Sequence, residues 1–164
     1  MINKIIFLFV TLFGIGKIRK IPGSIASLAT TIFLFFLLHI LKISPNFVLI
    51  FIIIIFFISL YAVNIFIKDL DNKDPKEVVI DEFIGQSIPI CLYEIAHEGT
   101  KETSQILTSY FIMFILFRVF DIVKPYPVSY YDKNFKNSFG VVMDDVAAGL
   151  YVVAVLVLYM VLTS

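Results

Sequence analysis

The composition of this 164-residue chain is typical of a membrane protein. Hydrophobic residues make up 60% of it and charged residues 16%, whereas a soluble domain has about 45–50% apolar and about 25% charged residues. The 13 basic and 13 acidic residues give zero formal net charge, which argues against nucleic-acid binding. The single cysteine, Cys91, excludes an intramolecular disulfide. We therefore expect residues 1–164 to form one membrane-embedded domain, an all-α helical bundle.

Apolar segments predict four to five membrane-associated helices. The predicted spans are residues 25–41, 47–67, 83–95, 106–123 and 146–162; the third is short and contains Pro89. An amino-terminal apolar segment, residues 5–16, imitates a signal peptide but has no clear small-residue cleavage site. We expect it to be retained and, being too short to span comfortably, to lie at the interface or to enter re-entrantly.

The end of segment 106–123 carries charges at helical spacing. Arg118, Asp121 and Lys124 stand three residues apart, so they would share one face of a helix. Pro125 predicts the end of that helix. Two interpretations are open: an ion-paired stripe at the membrane interface, or part of a site for an anion and a metal.

Two pairs of adjacent acids stand between apolar residues, Asp81-Glu82 and Asp144-Asp145. Adjacent helical residues face different directions, so one acid of a pair can bind a metal while the other engages a neighbouring helix. Gly85 and Gly149 would allow helices to approach closely beside these acids. Carboxylates near membrane depth usually mark function. The alternative is a solvated acidic helix start favoured by the helix dipole.

The loop before the first predicted span also suits an anion. Gly23 and Ser24 precede the span, and Ser24 is placed to cap the helix. The backbone N–H groups at a helix start bind anions readily. The alternative is an ordinary cap next to the basic residues of the loop, which are Lys17, Arg19 and Lys20.

Loop charge predicts that these residues share one side of the membrane. Loops rich in lysine and arginine alternate with poor ones, which places the rich loops in the cytoplasm. The polar candidates from four segments then fall at one interface. They are Ser24, Asp81, Glu82, Arg118, Asp121, Lys124, Asp144 and Asp145. Clustered carboxylates suit Mg²⁺ and the cations beside them suit a phosphate, so a lipid phosphate is the natural substrate at this surface.

The motifs resemble the phosphatidylglycerophosphatase A family of bacterial phospholipid synthesis. The stretches that carry the resemblance, in family order, are residues 22–24, 79–85, 117–127 and 140–149. The resemblance implies an all-helical, multi-pass protein of the bacterial cytoplasmic (inner) membrane, and the loop charges place the expected active site on its cytoplasmic face. It also implies that Mg²⁺-dependent hydrolysis converts phosphatidylglycerophosphate to phosphatidylglycerol and phosphate. Ala26 departs from the family pattern, which usually has a second glycine there.

The resemblance and the residue types together give each candidate a hypothetical role. The expected Mg²⁺ ligands are Asp81, Glu82, Asp121, Asp144 and Asp145. Of these, Asp81, Asp121, Asp144 and Asp145 are also the catalytic candidates, and either a positioned water or a carboxylate could attack phosphorus. The expected phosphate-binding residues are Gly23, Ser24, Arg118 and Lys124.

A second class of function, a membrane transport or structural subunit, would also use carboxylates paired with cations. Such a protein places polar residues along its spans, whereas segment 47–67 carries only Ser59 and Asn64 as clearly polar residues. The acids lie near the ends of predicted spans instead. This distribution favours catalysis at the membrane surface. An alcohol phosphotransferase is a third possibility, but its long glycine- and aspartate-spaced pattern is not found in the chain.

Overall fold

The structure is a computed structural model and describes residues 2–97 and 102–163. Within these residues every regular element is helical and no β-strand occurs, which confirms the predicted all-α class. The elements are α1 (Ile2–Val10), a 3₁₀ helix (Leu12–Lys17), α2 (Pro22–Phe35) continued by a π-helical turn (Phe36–Ile40), α3 (Pro45–Ile67), α4 (Ile80–His97), α5 (Thr103–Val123), α6 (Val128–Asn134) and α7 (Ser138–Thr163).

Within the part of the chain that the structure describes, four helical segments are long and apolar enough to cross a membrane. They are Pro22–Ile40, Pro45–Ile67, Thr103–Val123 and Ser138–Leu162. They correspond to four of the predicted spans, and they confirm a helical membrane bundle. The last of them begins at Ser138 rather than near residue 146, so Asp144 and Asp145 lie inside α7 and not before it.

The predicted short span at residues 83–95 lies within α4, which packs in the middle of the bundle. This helix contacts α2, α3, α5 and α7. Its buried residues include the polar side chains of Asp81, Gln86, Ser87 and Glu94. A helix with so many polar groups is unfavourable in lipid, so the more apolar helices surround it.

The amino-terminal segment packs against the chain that leads into α4. The backbone N–H of Val79 donates a hydrogen bond to the carbonyl of Val10 at 2.9 Å. A Cβ added to Gly16 would lie 2.0 Å from the carbonyl oxygen of Glu77, so only glycine fits this contact. The segment predicted at residues 5–16 is therefore a short helix and a 3₁₀ turn held beside the start of α4.

Candidate metal and phosphate site

Three carboxylates from two helices meet at one end of the bundle. Asp81 and Glu82 lie in the first turn of α4, and Asp145 lies near the start of α7. Each offers one carboxylate oxygen, and these oxygens all lie within 4.8 Å of one another. Asp81 and Asp145 are 7% and 3% exposed. We call these three residues the acid cluster.

Two glycines set the spacing of the helices that carry the acid cluster. A Cβ on Gly85 would lie 2.5 Å from the backbone oxygen of Asp145, and one on Gly149 would lie 2.3 Å from the backbone oxygen of Gly85. Both distances are too short for any side chain, so α4 and α7 touch through their backbones here. The close approach expected at Gly85 and Gly149 is present, and it brings Asp145 to Asp81 and Glu82.

The acid cluster is electrostatically unfavourable by itself. Burial, together with the negative charge of Glu82, raises the pKa of Asp81 well above its usual range. Burial also raises the pKa of Glu82 to about 7, although Arg118 partly opposes this shift. Such a group of buried carboxylates needs a compensating positive charge to remain ionised.

The donor atoms of the acid cluster fit a magnesium ion. Among the described residues, Glu82 Oε2 and Asp145 Oδ2 are buried and have no hydrogen-bond partner. Buried polar atoms in native proteins normally have partners, so these two oxygens are available as ligands. Carboxylate oxygens are the ligands that Mg²⁺ prefers. The residues that the structure brings together therefore fit the expected metal.

Arg118 joins three elements beside the acid cluster. Its guanidinium pairs with Asp121 at 2.9 Å within α5 and lies 4.0 Å from Glu82 in α4. It also donates a hydrogen bond to Ser27 Oγ in α2 at 3.2 Å. The arginine Nε is buried and is without a hydrogen-bond partner among the described residues, so one donor remains for a ligand.

Asp121 lies beside the acid cluster and pairs with Arg118, which also lies near Glu82. It is not one of the three acids whose oxygens converge within 4.8 Å. Its described ion pair is with Arg118. Asp121 is nevertheless near enough for its charge to act on Glu82 and Asp145, so its expected role as a metal ligand stays a prediction.

Lys124 occupies a second ionic cluster next to the first. Its ammonium pairs with Asp144 at 2.6 Å and with Asp132 at 2.7 Å. Burial lowers the pKa of this lysine, but the hydrogen bonds to Asp132 and Asp144 outweigh burial and raise it above its usual value. Asp144 and Asp145 thus face different partners, as expected for adjacent helical residues, whereas Asp81 and Glu82 both lie in the acid cluster.

The start of α2 approaches the acid cluster through Gly23 and not through a serine cap. The helix begins at Pro22, and the residue before it, Ile21, has a left-handed backbone with φ 49° and makes no side-chain cap. The expectation that Ser24 caps this helix is therefore wrong, because Pro22 already occupies the first turn. A Cβ on Gly23 would lie 2.0 Å from Glu82 Oε1 and 3.3 Å from an Arg118 nitrogen.

Two residues at the site were not singled out from the sequence. Ser27 accepts the hydrogen bond from Arg118, and it stands four residues after Gly23, so helical spacing could have found it. Asp132 in α6 pairs with Lys124. No local pattern marks Asp132, because its partner belongs to a different element and the fold alone brings the two together.

A further, partly buried polar contact lies at the opposite end of α4. His39 Nε2 is 3.2 Å from Glu94 Oε1, and the hydroxyl of Tyr110 is 3.4 Å from the same histidine nitrogen. The contact joins the π-helical turn after α2 to α4 and α5. It lies far along α4 from Asp81 and Glu82, and so it does not belong to the acid cluster.

Comparisons with known proteins agree over most of the chain. The sequence model of a family described as phosphatidylglycerophosphatase A matches residues 8–160. The phosphatidylglycerophosphatase A of Haemophilus influenzae is 36% identical over 143 residues, covering 87% of this chain and 81% of that protein. The Escherichia coli protein of the same name is 28% identical over 138 residues, covering 84% of this chain and 73% of that protein.

A relative with a different printed name matches half of the chain. The putative phosphatidylinositol-3-phosphatase of Bacteroides thetaiotaomicron is 40% identical over 80 residues, covering 49% of this chain and 45% of that protein. No solved structure matches the chain.

Proposed function

The chain belongs to the phosphatidylglycerophosphatase A family, and from this premise we propose that it hydrolyses phosphatidylglycerophosphate to phosphatidylglycerol and phosphate in phospholipid biosynthesis. The family makes it a phosphoric monoester hydrolase. The observation that carries the proposal is the convergence of Asp81, Glu82 and Asp145 beside Arg118 at one end of a membrane bundle. Phosphoryl transfer needs mainly positioning and charge stabilisation, and such a cluster supplies both.

Magnesium is the proposed cofactor, and Asp81, Glu82 and Asp145 are the residues that would hold it. The two partnerless oxygens of Glu82 and Asp145 support this assignment. When bound, Mg²⁺ would polarise a phosphoryl oxygen and neutralise charge that develops on the phosphate. Asp121 and Asp144 are proposed to position the residues around the metal and not to bind it. Each already forms an ion pair, Asp121 with Arg118 and Asp144 with Lys124.

Arg118 is the proposed phosphate-binding residue. It is held on three sides by Asp121, Ser27 and Glu82, so its position is fixed before substrate binds. A preorganised cation aimed at a phosphate loses little freedom on binding. Gly23 lies beside it, where a Cβ would meet Glu82 Oε1 at 2.0 Å, and backbone N–H groups at this helix start are proposed as further donors to the phosphate. Lys124 has its charge engaged by two aspartates and is proposed to orient Asp144.

The proposed location is the bacterial cytoplasmic membrane, with the acid cluster on the cytoplasmic face. The loops at the end of the bundle that holds the cluster carry most of the lysine and arginine residues, including Lys17, Lys73 and Lys133. Substrate and product are both membrane lipids, so an active site at this surface meets them where their headgroups lie.

The first experiment measures phosphate release by the purified protein in detergent. With phosphatidylglycerophosphate and Mg²⁺ we expect turnover that a chelator abolishes. Asp121→Asn frees Arg118 from its partner and should lower kcat by about 10²-fold or more, because a misplaced positioning group costs this much. Asp71→Asn changes an exposed acid of the α3–α4 connection and is the matched control. Release that persists in chelator, or that Asp121→Asn leaves unchanged, would contradict the proposal.

The Bacteroides relative gives one competing substrate for the same assay. Phosphatidylinositol 3-phosphate is also a lipid phosphomonoester, so the acid cluster and Arg118 would suit its phosphate equally well. We expect phosphatidylglycerophosphate to be the better substrate by kcat/KM, because the two relatives that cover most of the chain bear that name. The opposite preference would reassign the substrate within the lipid phosphatases.

A further inference from the structure

An apolar groove of about 480 Å³ lies between the amino-terminal segment and helices α2, α3 and α4. Its walls include Ala29 and Phe33 from α2, Ile55 from α3, and Ile80 and Phe83 from α4. The hydroxyl of Thr30, which also lines the groove, donates its hydrogen bond to the backbone oxygen of Ala26 at 2.8 Å. The lining side chains therefore suit a hydrocarbon and offer little to a polar group.

The wall from the amino-terminal segment is held in place by backbone contacts. Leu12 and Phe13, both in this wall, have left-handed backbones with φ 45° and 56°. This conformation is unfavourable for apolar side chains and persists only where the surroundings enforce it. The backbone N–H groups of Gly14 and Gly16 donate hydrogen bonds to the carbonyl of Thr11 and close this turn, and the Val79–Val10 hydrogen bond and the contact of Gly16 with Glu77 join it to the bundle. The groove is thus a shaped feature of the fold.

The groove adjoins the acid cluster through two helices. Ile80 and Phe83 directly flank Asp81 and Glu82 at the start of α4. On the other wall, α2 carries Ala29 and Phe33 into the groove and Gly23 against Glu82. A lipid whose phosphate lies at Glu82 and Arg118 is therefore within reach of the groove with its hydrocarbon part.

Resting on the proposed function, we propose that this groove binds one acyl chain of the phospholipid substrate and so aligns the terminal phosphate with the acid cluster. Its size is within the range of about 300–1,000 Å³ typical of ligand sites. A second apolar groove near the site, lined by Pro127, Met143 and Ala154, has about 260 Å³ and falls below that range. Larger grooves lie at the far end of α4 or are lined by Lys4, Lys68 and Asp69.

The role of the groove is orientation. Lipid tails are as apolar as the groove, so moving a chain into it gains packing contacts but no hydrophobic transfer. A chain held in a fixed path restricts where the headgroup can lie, which raises the fraction of productive encounters. The prediction is an effect that depends on chain length.

The test fills each groove with one side chain. Ala29→Phe fills the larger groove, and Ala154→Phe is the matched control in the smaller one. Both variants are assayed in detergent with long-chain phosphatidylglycerophosphate and with a short-chain, water-soluble form. We expect Ala29→Phe to lower kcat/KM for the long-chain substrate by about tenfold to a hundredfold, because misalignment of a substrate costs this much. Its activity on the short-chain form and both activities of Ala154→Phe should change little.

Equal losses on both substrates, no loss, or the same chain-length effect in Ala154→Phe would overturn the proposal. A second measurement uses the unaltered protein, so it does not depend on the folding of a variant. A phospholipid with a photoreactive group at the end of one acyl chain should label residues 29–33 or 51–55. Labelling at residues 143–154, or labelling spread over the bundle, would contradict the proposal that this groove binds the acyl chain. If the unaltered protein hydrolyses neither form of the substrate, the proposed function is wrong. The photolabelling then still shows whether the groove binds an acyl chain.

Discussion

The side chain of Lys124 shows how a residue's role depends on the backbone beneath it. Sequence spacing places Arg118, Asp121 and Lys124 on one helical face, and the first two do pair at 2.9 Å. The helix ends at Val123, and Lys124 has a left-handed backbone with φ 48°. Its ammonium therefore leaves that face and lies between Asp132 and Asp144. Helical spacing is informative up to the end of a helix and not beyond it.

Lys124→Ala should lower the free energy of unfolding by about 1–3 kcal/mol, because it leaves the buried carboxylate of Asp144 without its partner. The expected loss is below that of a fully buried pair because the Lys124 side chain is 28% exposed. Thermal or denaturant unfolding, with both proteins in the same detergent, measures this loss of unfolding free energy. The double variant Lys124→Ala, Asp144→Asn should recover part of this loss, because the unpaired carboxylate of Asp144 is then removed. Simple addition of the two losses would contradict this coupling.

At the level of elements, the contact between α4 and α7 determines whether the acid cluster exists. Both acid pairs could be recognised from the sequence as polar residues in apolar surroundings, and both glycines could be recognised as points of close approach. The sequence could not show which acid of each pair faces the other helix. That depends on the rotation of α7, which begins at Ser138, earlier than its apolar core suggests. Asp145 therefore meets Asp81 and Glu82, while Asp144 meets Lys124.

Gly149→Ala tests the element contact. Alanine normally stabilises a helix relative to glycine by about 1 kcal/mol, but here the added Cβ would lie 2.3 Å from the backbone oxygen of Gly85. We expect α7 to shift, with a net destabilisation of about 1–3 kcal/mol and a large loss of turnover. Unfolding and phosphate release are measured on the same preparation. The control is Val157→Ile, which adds one methyl group on the exposed face of α7. If Gly149→Ala is more stable than the native chain and fully active, the close contact between α4 and α7 is refuted.

At the level of the whole molecule, the proposed metal site would link metal binding to stability. Two of its residues belong to α4, which contacts α2, α3, α5 and α7, and the third belongs to α7. A cation bound by all three attaches the central helix to its neighbour. Because a ligand that binds only the folded state stabilises it, metal binding should be measurable without any substrate.

Saturating Mg²⁺ should raise the free energy of unfolding by about 2.7 kcal/mol at a hundredfold excess over Kd, and a chelator should reverse the increase. Without metal, burial and mutual repulsion both disfavour the carboxylates of the acid cluster, so we expect Asp145→Asn, which replaces one of them by a neutral amide, to be more stable than the native chain in chelator. The same variant should gain little from Mg²⁺. Scanning calorimetry or intrinsic fluorescence measures the stability of the native chain and of the variant, each with Mg²⁺ and with chelator. If Mg²⁺ stabilises Asp145→Asn as much as the native chain, Asp145 is not a metal ligand.

The position of α4 has a consequence for how the protein is made. This helix supplies two acids of the cluster, yet it is not among the four segments apolar enough to cross a membrane by themselves. During biosynthesis α4 leaves the ribosome before α5 and α7, and its buried carboxylates and amide have no suitable solvent in a bilayer until those helices arrive. Stable insertion of α4 therefore requires later helices to enter and enclose it. On the proposed function, only a fully inserted bundle would hold the complete acid cluster, and a half-assembled chain would be inactive on membrane lipids.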